Sequence, residues 1–183
     1  MNDLIINLFK YFSKFVPKEV LESIFIQPDG SRKTGYSEIE SEILAQNDDC
    51  VIGEIEKFVV SINENFISER IKNSHGFILF VEYGKLNVDY DIEKGVIQSF
   101  AVTIAYNFSD NNNDNLNEII HMNGCLEILD KILWQMGEEQ NELDFCAGAE
   151  LITYPAEIQV VDPVSFSGCG GWSAMFTNAN TVL

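Results

Sequence analysis

The second half of this chain is almost without positive charge. From Gly95 onward Lys131 is the one cation, set against twelve carboxylates. The whole chain carries 11 basic and 29 acidic residues, a formal net charge of −18. Such a surface repels phosphate, so a conventional DNA or RNA binder is excluded. Histidine is scarce too. His75 and His121 are the only two, and no HxxxH pair offers a metal-binding helix face. The four cysteines, at 50, 125, 146 and 169, form no CxxC pair, which argues against a zinc site. No apolar run approaches the roughly 20 residues that a transmembrane helix needs. The opening stretch has an acid ahead of its apolar residues and lysines within them, unlike a secretory signal. Reduced, mostly buried thiols in a cytosol are therefore expected.

What is present is a core. Hydrophobic residues make up 46% of 183 positions, enough for one α+β domain. Residues 1–16 read as an amphipathic helix with Leu4, Leu8, Tyr11 and Phe15 on one face, packing inside the protein or on a partner. A second helix runs from Pro17 to about Ile26. The stretch 27–35 is turn-rich, and a third helix covers about 37–46. In 51–73 the apolar residues Ile55, Phe58, Val59, Ile62, Phe66 and Ile71 recur at helical spacing, although "FVVSI" has strand character. The spacing favours a helix.

From Phe77 the pattern changes. "FILFVEY" reads as a buried strand broken at Gly84-Lys85. Residues 86–92 alternate as a second strand, with Asp89 and Asp91 on its wet side. Glu93-Lys94-Gly95 makes a hairpin turn, and 96–108 returns with Phe100, Val102, Ile104 and Tyr106 on one face. A long helix over 115–137 follows, capped by Asn115 with Glu118. Its core stripe reads Ile119, Met122, Leu126, Leu129, Leu133 and Met136, with Trp134 anchoring one edge. Gly124 inside it predicts close packing against the sheet. Residues 151–162 form a strand with Pro155 inside it, which makes it an edge strand or bulges it there. "SGCGG" is a hairpin loop, and 172–180 is the last strand, anchored by Trp172. The expected architecture is thus N-terminal helices over 1–76 and an α+β unit over 77–183. It has an antiparallel or mixed sheet of about five strands with one long helix across it.

Chemistry is hard to find in these residues. "SGCGGW" (167–172) resembles the nucleophile loop of papain-like proteases. That signature places its histidine downstream of the cysteine, and here no histidine follows His121. Nothing in the sequence brings His121 or His75 to Cys169, and the acidic surroundings blunt a thiol. Asp110, Asn112 and Asp114 match the first ligands of a calcium loop. The match fails at Asn115, where glycine is needed, and at His121, where glutamate is needed. There is no phosphate-binding glycine loop and no nucleophile elbow. Glu138-Glu139 and Asp89/Asp91 read as solvated faces rather than acid/base pairs.

The hairpin "LNVDYDIEKGVIQSFAVTIAYNF", the helix "NLNEIIHMNGCLEILDKILWQM" and the closing "IQVVDPVSFSGCGGWSAMFTNAN" resemble tail-terminator, tail-completion and neck proteins of tailed bacteriophages. The likeness is to virion proteins of crAss-like phages in particular, and it covers 77–183. It implies a non-catalytic ring subunit at the head–tail connector or tail. Its partners would be copies of itself and adjacent neck, portal or tail proteins. DNA would pass without specific binding, no membrane would be involved, and the chain would be made in the host cytoplasm for the virion. It implies no catalytic, cofactor-binding or metal-ligating residue and no cofactor. The loop 109–115 would be a contact segment. The alternative is an acidic inhibitor, immunity-type protein or DNA mimic that binds a basic partner. An unrecognised enzyme is the third reading.

Overall fold

A computed structural model describes residues 4–25, 35–46, 48–62, 71, 74–88, 96–108, 114–142, 156–161, 166 and 168–180. Its elements are α1 (Leu4–Ser13), α2 (Lys18–Ile24), α3 (Tyr36–Leu44), β1 (Ile55–Ser61), β2 (Phe77–Val88), β3 (Val96–Asn107), α4 (Asn115–Glu142), β4 (Glu157–Val161) and β5 (Cys169–Asn180). The fold is α+β. Among the described residues four α-helices accompany a five-stranded mixed sheet of order β1-β2-β3-β5-β4. β1 runs parallel to β2, and the other pairs are antiparallel.

The helices share one face of the sheet. Leu8, Phe12, Phe15 and Val16 follow the spacing of one helix side and carry into the turn after α1. They join Leu79, Val81, Phe100, Val102, Ile104, Ala174 and Phe176 of the sheet and Cys125, Ile128, Leu129, Ile132 and Met136 of α4 in a single buried cluster. Phe12 meets Phe100 with ring centroids 6.1 Å apart. The amide of Ile52 donates to the Phe15 carbonyl at 2.9 Å, which ties the approach to β1 to the end of the first helical segment. The opposite face is covered in part by a smaller cluster of Val59, Ile71, Ile78, Phe80, Ala105, Phe166 and Cys169.

Several expectations change. The helix expected over 51–73 is a strand at 55–61. β1 is covered on both faces: Phe58 turns to the helix layer and Val59 to the smaller cluster. A strand buried on both sides is apolar without alternation, and here that run imitates helical spacing. The two strands expected at 77–83 and 86–92 are one strand to Val88, with a register irregularity between Tyr83 and Leu86. Gly84 and Lys85 kink the ladder without ending it. Residues 89–95, where the hairpin turn was expected, lie outside the described residues, as do residues 109–113 of the expected contact loop and Pro155. β4 sits at the sheet edge as expected and is described over Glu157–Val161; 151–155 and 162 lie outside the described residues.

α4 begins at Asn115, but Asp114 caps it. The Asp114 carboxylate accepts from the Asn117 amide at 3.1 Å, and its carbonyl accepts from the Glu118 amide at 3.1 Å. Leu129 and Met136 are buried as expected and Leu133 packs against the same core, but Cys125, Ile128 and Ile132 complete the buried stripe and Ile119 is exposed. Trp134 is 70% exposed and anchors nothing among the described residues. Gly124 does pack closely, since a Cβ there would lie 2.8 Å from the Phe77 ring.

The glycine-rich loop is also shorter than expected. Cys169, Gly170 and Gly171 are already in β5. Only Gly168 does turn work, at φ 84°. Gly170 and Gly171 are glycines for room: a Cβ on Gly170 would meet the Phe108 ring at 2.8 Å, and one on Gly171 the Ile104 carbonyl oxygen at 2.0 Å.

Candidate functional site

Three places hold the chemistry that sequence pointed to, and each begins with where the strands and α4 put the side chains. The first is Cys169. Strand alternation turns it into the smaller cluster, with Ile78, Phe80 and Ala105, and it is fully buried. Burial pushes its thiol up to about 11. Cys125 is likewise buried and pushed up to about 12, chiefly by desolvation with Cys169 adding to it. At neutral pH both are thiols rather than thiolates, so neither is poised as a nucleophile.

His121 lies on the helix side of the sheet. Its Nδ1–H donates to the Asn117 carbonyl at 2.7 Å, and its ring packs on Tyr106 at 3.8 Å between centroids. Phe77 and Phe108 complete the aromatic surround. Cys169 and His121 therefore face opposite sides of the sheet and are not brought together. His75 is exposed. Among the described residues no group of three or more His, Cys, Asp or Glu side chains could hold a metal ion. Cys50 is half-buried, and Cys146 lies outside the described residues.

Alkylation should separate these thiols. In native protein at mildly alkaline pH, Cys125 and Cys169 are expected to react at least about a hundredfold more slowly than the same thiols in the urea-unfolded chain, from the loss of thiolate alone. Peptide mass spectrometry reads each site. Fast labelling of Cys169 in folded protein would contradict its burial.

The second place is the seam between α1 and α4. Lys14 pairs with Glu139, and Tyr11 Oη donates to the same carboxylate at 2.9 Å. Gln135 Nε2 donates to Glu139 Oε1 at 2.8 Å. Lys14 Nζ stands 3.7 Å over the Tyr11 ring. Burial alone would raise the Glu139 pKa, but the hydrogen bonds from Lys14, Gln135 and Tyr11 outweigh it, so the pKa falls below its usual 4.5. Glu139 is thus not the solvated residue expected of the Glu138-Glu139 pair. It clamps two helices, and Glu138 stays exposed.

A lowered carboxylate contributes stability above its ordinary pKa and loses it as pH falls through the folded value. Glu139→Gln should therefore cost up to about 1 kcal/mol at neutral pH, the upper end for a partly screened pair. The gap to the parent chain should close in acid. Urea melts across pH check it, and a gap that widens in acid would contradict the clamp.

The third place is a surface. Trp172 stands under α4 and donates from Nε1 to the Met122 carbonyl at 3.0 Å. Across the ladder from Trp172 is Val160, and from Ala174 is Ile158, so both point to the helix side of edge strand β4. Val160 is 62% exposed and Ile158 42% exposed. One helical turn before Met122, Ile119 is 55% exposed. These residues form a continuous apolar flank from α4 down to β4. Sequence reasoning assigned Ile119 and Met122 to the α4 core stripe and left Ile158 and Val160 in an edge strand, because the α4 apolar arc is wider than the sheet it covers. Only the tertiary arrangement tells which part stays outside.

No described helix is long and apolar enough to cross a membrane. Comparison with models of known protein families, with curated proteins and with solved structures found no match.

Proposed function

We propose that this chain is a non-catalytic structural subunit of a tailed-bacteriophage virion, forming a ring with copies of itself at the neck or tail. Head–tail connection or tail completion is its task, and neighbouring neck, portal or tail proteins are its partners. The observation that carries this reading is a contrast. The candidate nucleophile Cys169 is buried with a raised pKa, as is Cys125, while large apolar side chains stand in solvent. A subunit that works by contact needs the second and has no use for reactive groups.

A closed ring needs two unlike patches that meet head to tail. Two are available. One is an apolar groove of about 350 Å³ lined by residues including Ile5, Ile6, Phe9, Ile24, Ile39 and Val60. The other is the outer face of α4, with Leu116, Ile120 and Trp134 exposed. The net charge of −18 supports a lumen along which DNA slides without adhering, since cationic phosphate contacts are what hold a duplex.

Native mass spectrometry across concentration tests the ring. A single closed oligomer is expected, dissolved by Trp134→Glu. A chain that stays monomeric at all concentrations and sequesters a basic protein in low salt would favour the acidic-inhibitor reading instead, for which the charge is the specific support.

A further inference from the structure

The flank between α4 and β4 has a chemistry of its own. Its centre is Ile119, Met122, Trp172, Val160 and Ile158, contiguous through the Trp172–Met122 hydrogen bond and the Val160–Trp172 pairing. The charged residues described on α4 ahead of Lys131 are all carboxylates, Glu118, Glu127 and Asp130, each exposed; Glu157 of β4 alternates with Ile158 and lies on the opposite face of the sheet. The one described cation on α4, Lys131, turns away, with its Nζ 3.8 Å from Glu54 before β1. An apolar centre with an acidic rim selects its occupant. The occupant must bring apolar side chains and lysines or arginines around them.

A second copy of this chain docked through the same face does not fit, because that would set carboxylate against carboxylate. Duplex DNA does not fit either. We propose that the α4–β4 flank is a docking surface for a different protein, one that presents an apolar patch ringed by basic residues. The inference goes beyond the ring reading and rests on this surface alone, so either can fail without the other.

The test uses the full chain and two probes: an amphipathic leucine–lysine helical peptide, and an oligolysine of equal charge. Tryptophan fluorescence and calorimetry report binding. Val160→Asp and Ile119→Asp each add a negative charge to the flank at exposed positions. If attraction were electrostatic only, both variants would bind both probes as well as before or more tightly. The docking surface predicts the reverse for the amphipathic peptide, a loss of about tenfold from the removed apolar contact, with oligolysine binding unchanged or tighter. Should Val160→Asp disturb the fold by circular dichroism, Ile119→Asp decides alone. Undiminished peptide binding by the folded variants would overturn the proposal. So would sedimentation showing that the flank joins two copies of this chain, with self-association abolished by Val160→Asp.

Discussion

Gly171→Ala is expected to cost this fold about 3 kcal/mol or more, the upper range for overpacking. The added Cβ would lie 2.0 Å from the Ile104 carbonyl oxygen and 2.7 Å from the Ala105 Cα. Both are backbone atoms of β3, which is hydrogen-bonded on both sides, to β2 and β5. No rotamer relieves the contact, so the ladder itself must shift. Gly170→Ala is the control. Its added carbon would meet the Phe108 ring at 2.8 Å and the Met122 sulfur at 3.4 Å, and side chains can yield where backbone cannot. Chemical denaturation of both variants reads the difference. Equal, small losses would mean that the two glycines serve the turn rather than the sheet.

Phe12→Ala carries the second large effect, about 3–5 kcal/mol, as for other buried aromatic truncations. Phe12 is fully buried, with the Tyr11, Phe15 and Phe100 rings around it. It links α1 to the central strand β3, so its loss should weaken helices and sheet together. One transition, shifted equally when read by far-ultraviolet circular dichroism and by Trp172 fluorescence in a Trp134→Phe background, is the expected result. Two separated transitions would show that the helical layer melts alone. That outcome would contradict the single core in which α1, β2, β3, β5 and α4 meet.

Much of this was legible in the sequence, and the exceptions have physical causes. The β3 alternation was read correctly because that strand is apolar toward the helices and carries small residues such as Ala101, Thr103 and Ala105 on its other side. Gly124 against Phe77 was legible for a related reason: a glycine inside a long helix costs stability unless something packs there. β1 was misread because burial on both faces erases the period of two. The α4 stripe was turned toward its β4 side because Ile119, Met122, Leu126 and Leu133 are as apolar as the true core residues. Sequence shows how wide an apolar arc is, while the neighbours decide which part is covered. Gly170 and Gly171 looked like turn residues, since glycine demanded by a crowding strand and glycine demanded by a loop are the same letter.

The same distinction governs the surface. Cys169 drew attention for its flanking glycines, and the structure makes it core. The flank of Ile119, Ile158 and Val160 was taken for core or for an ordinary edge strand, and it is solvent-facing. A protein that acts through contact hides its functional residues among apolar letters that also build cores, and they become visible only once the core is accounted for.

Immunogold electron microscopy of phage particles purified from cells that produce this chain tests the proposed virion assignment most directly. Gold confined to the neck or tail, at one site per particle, is the result predicted here. Abundant chain in infected cells with none in the particles would contradict it.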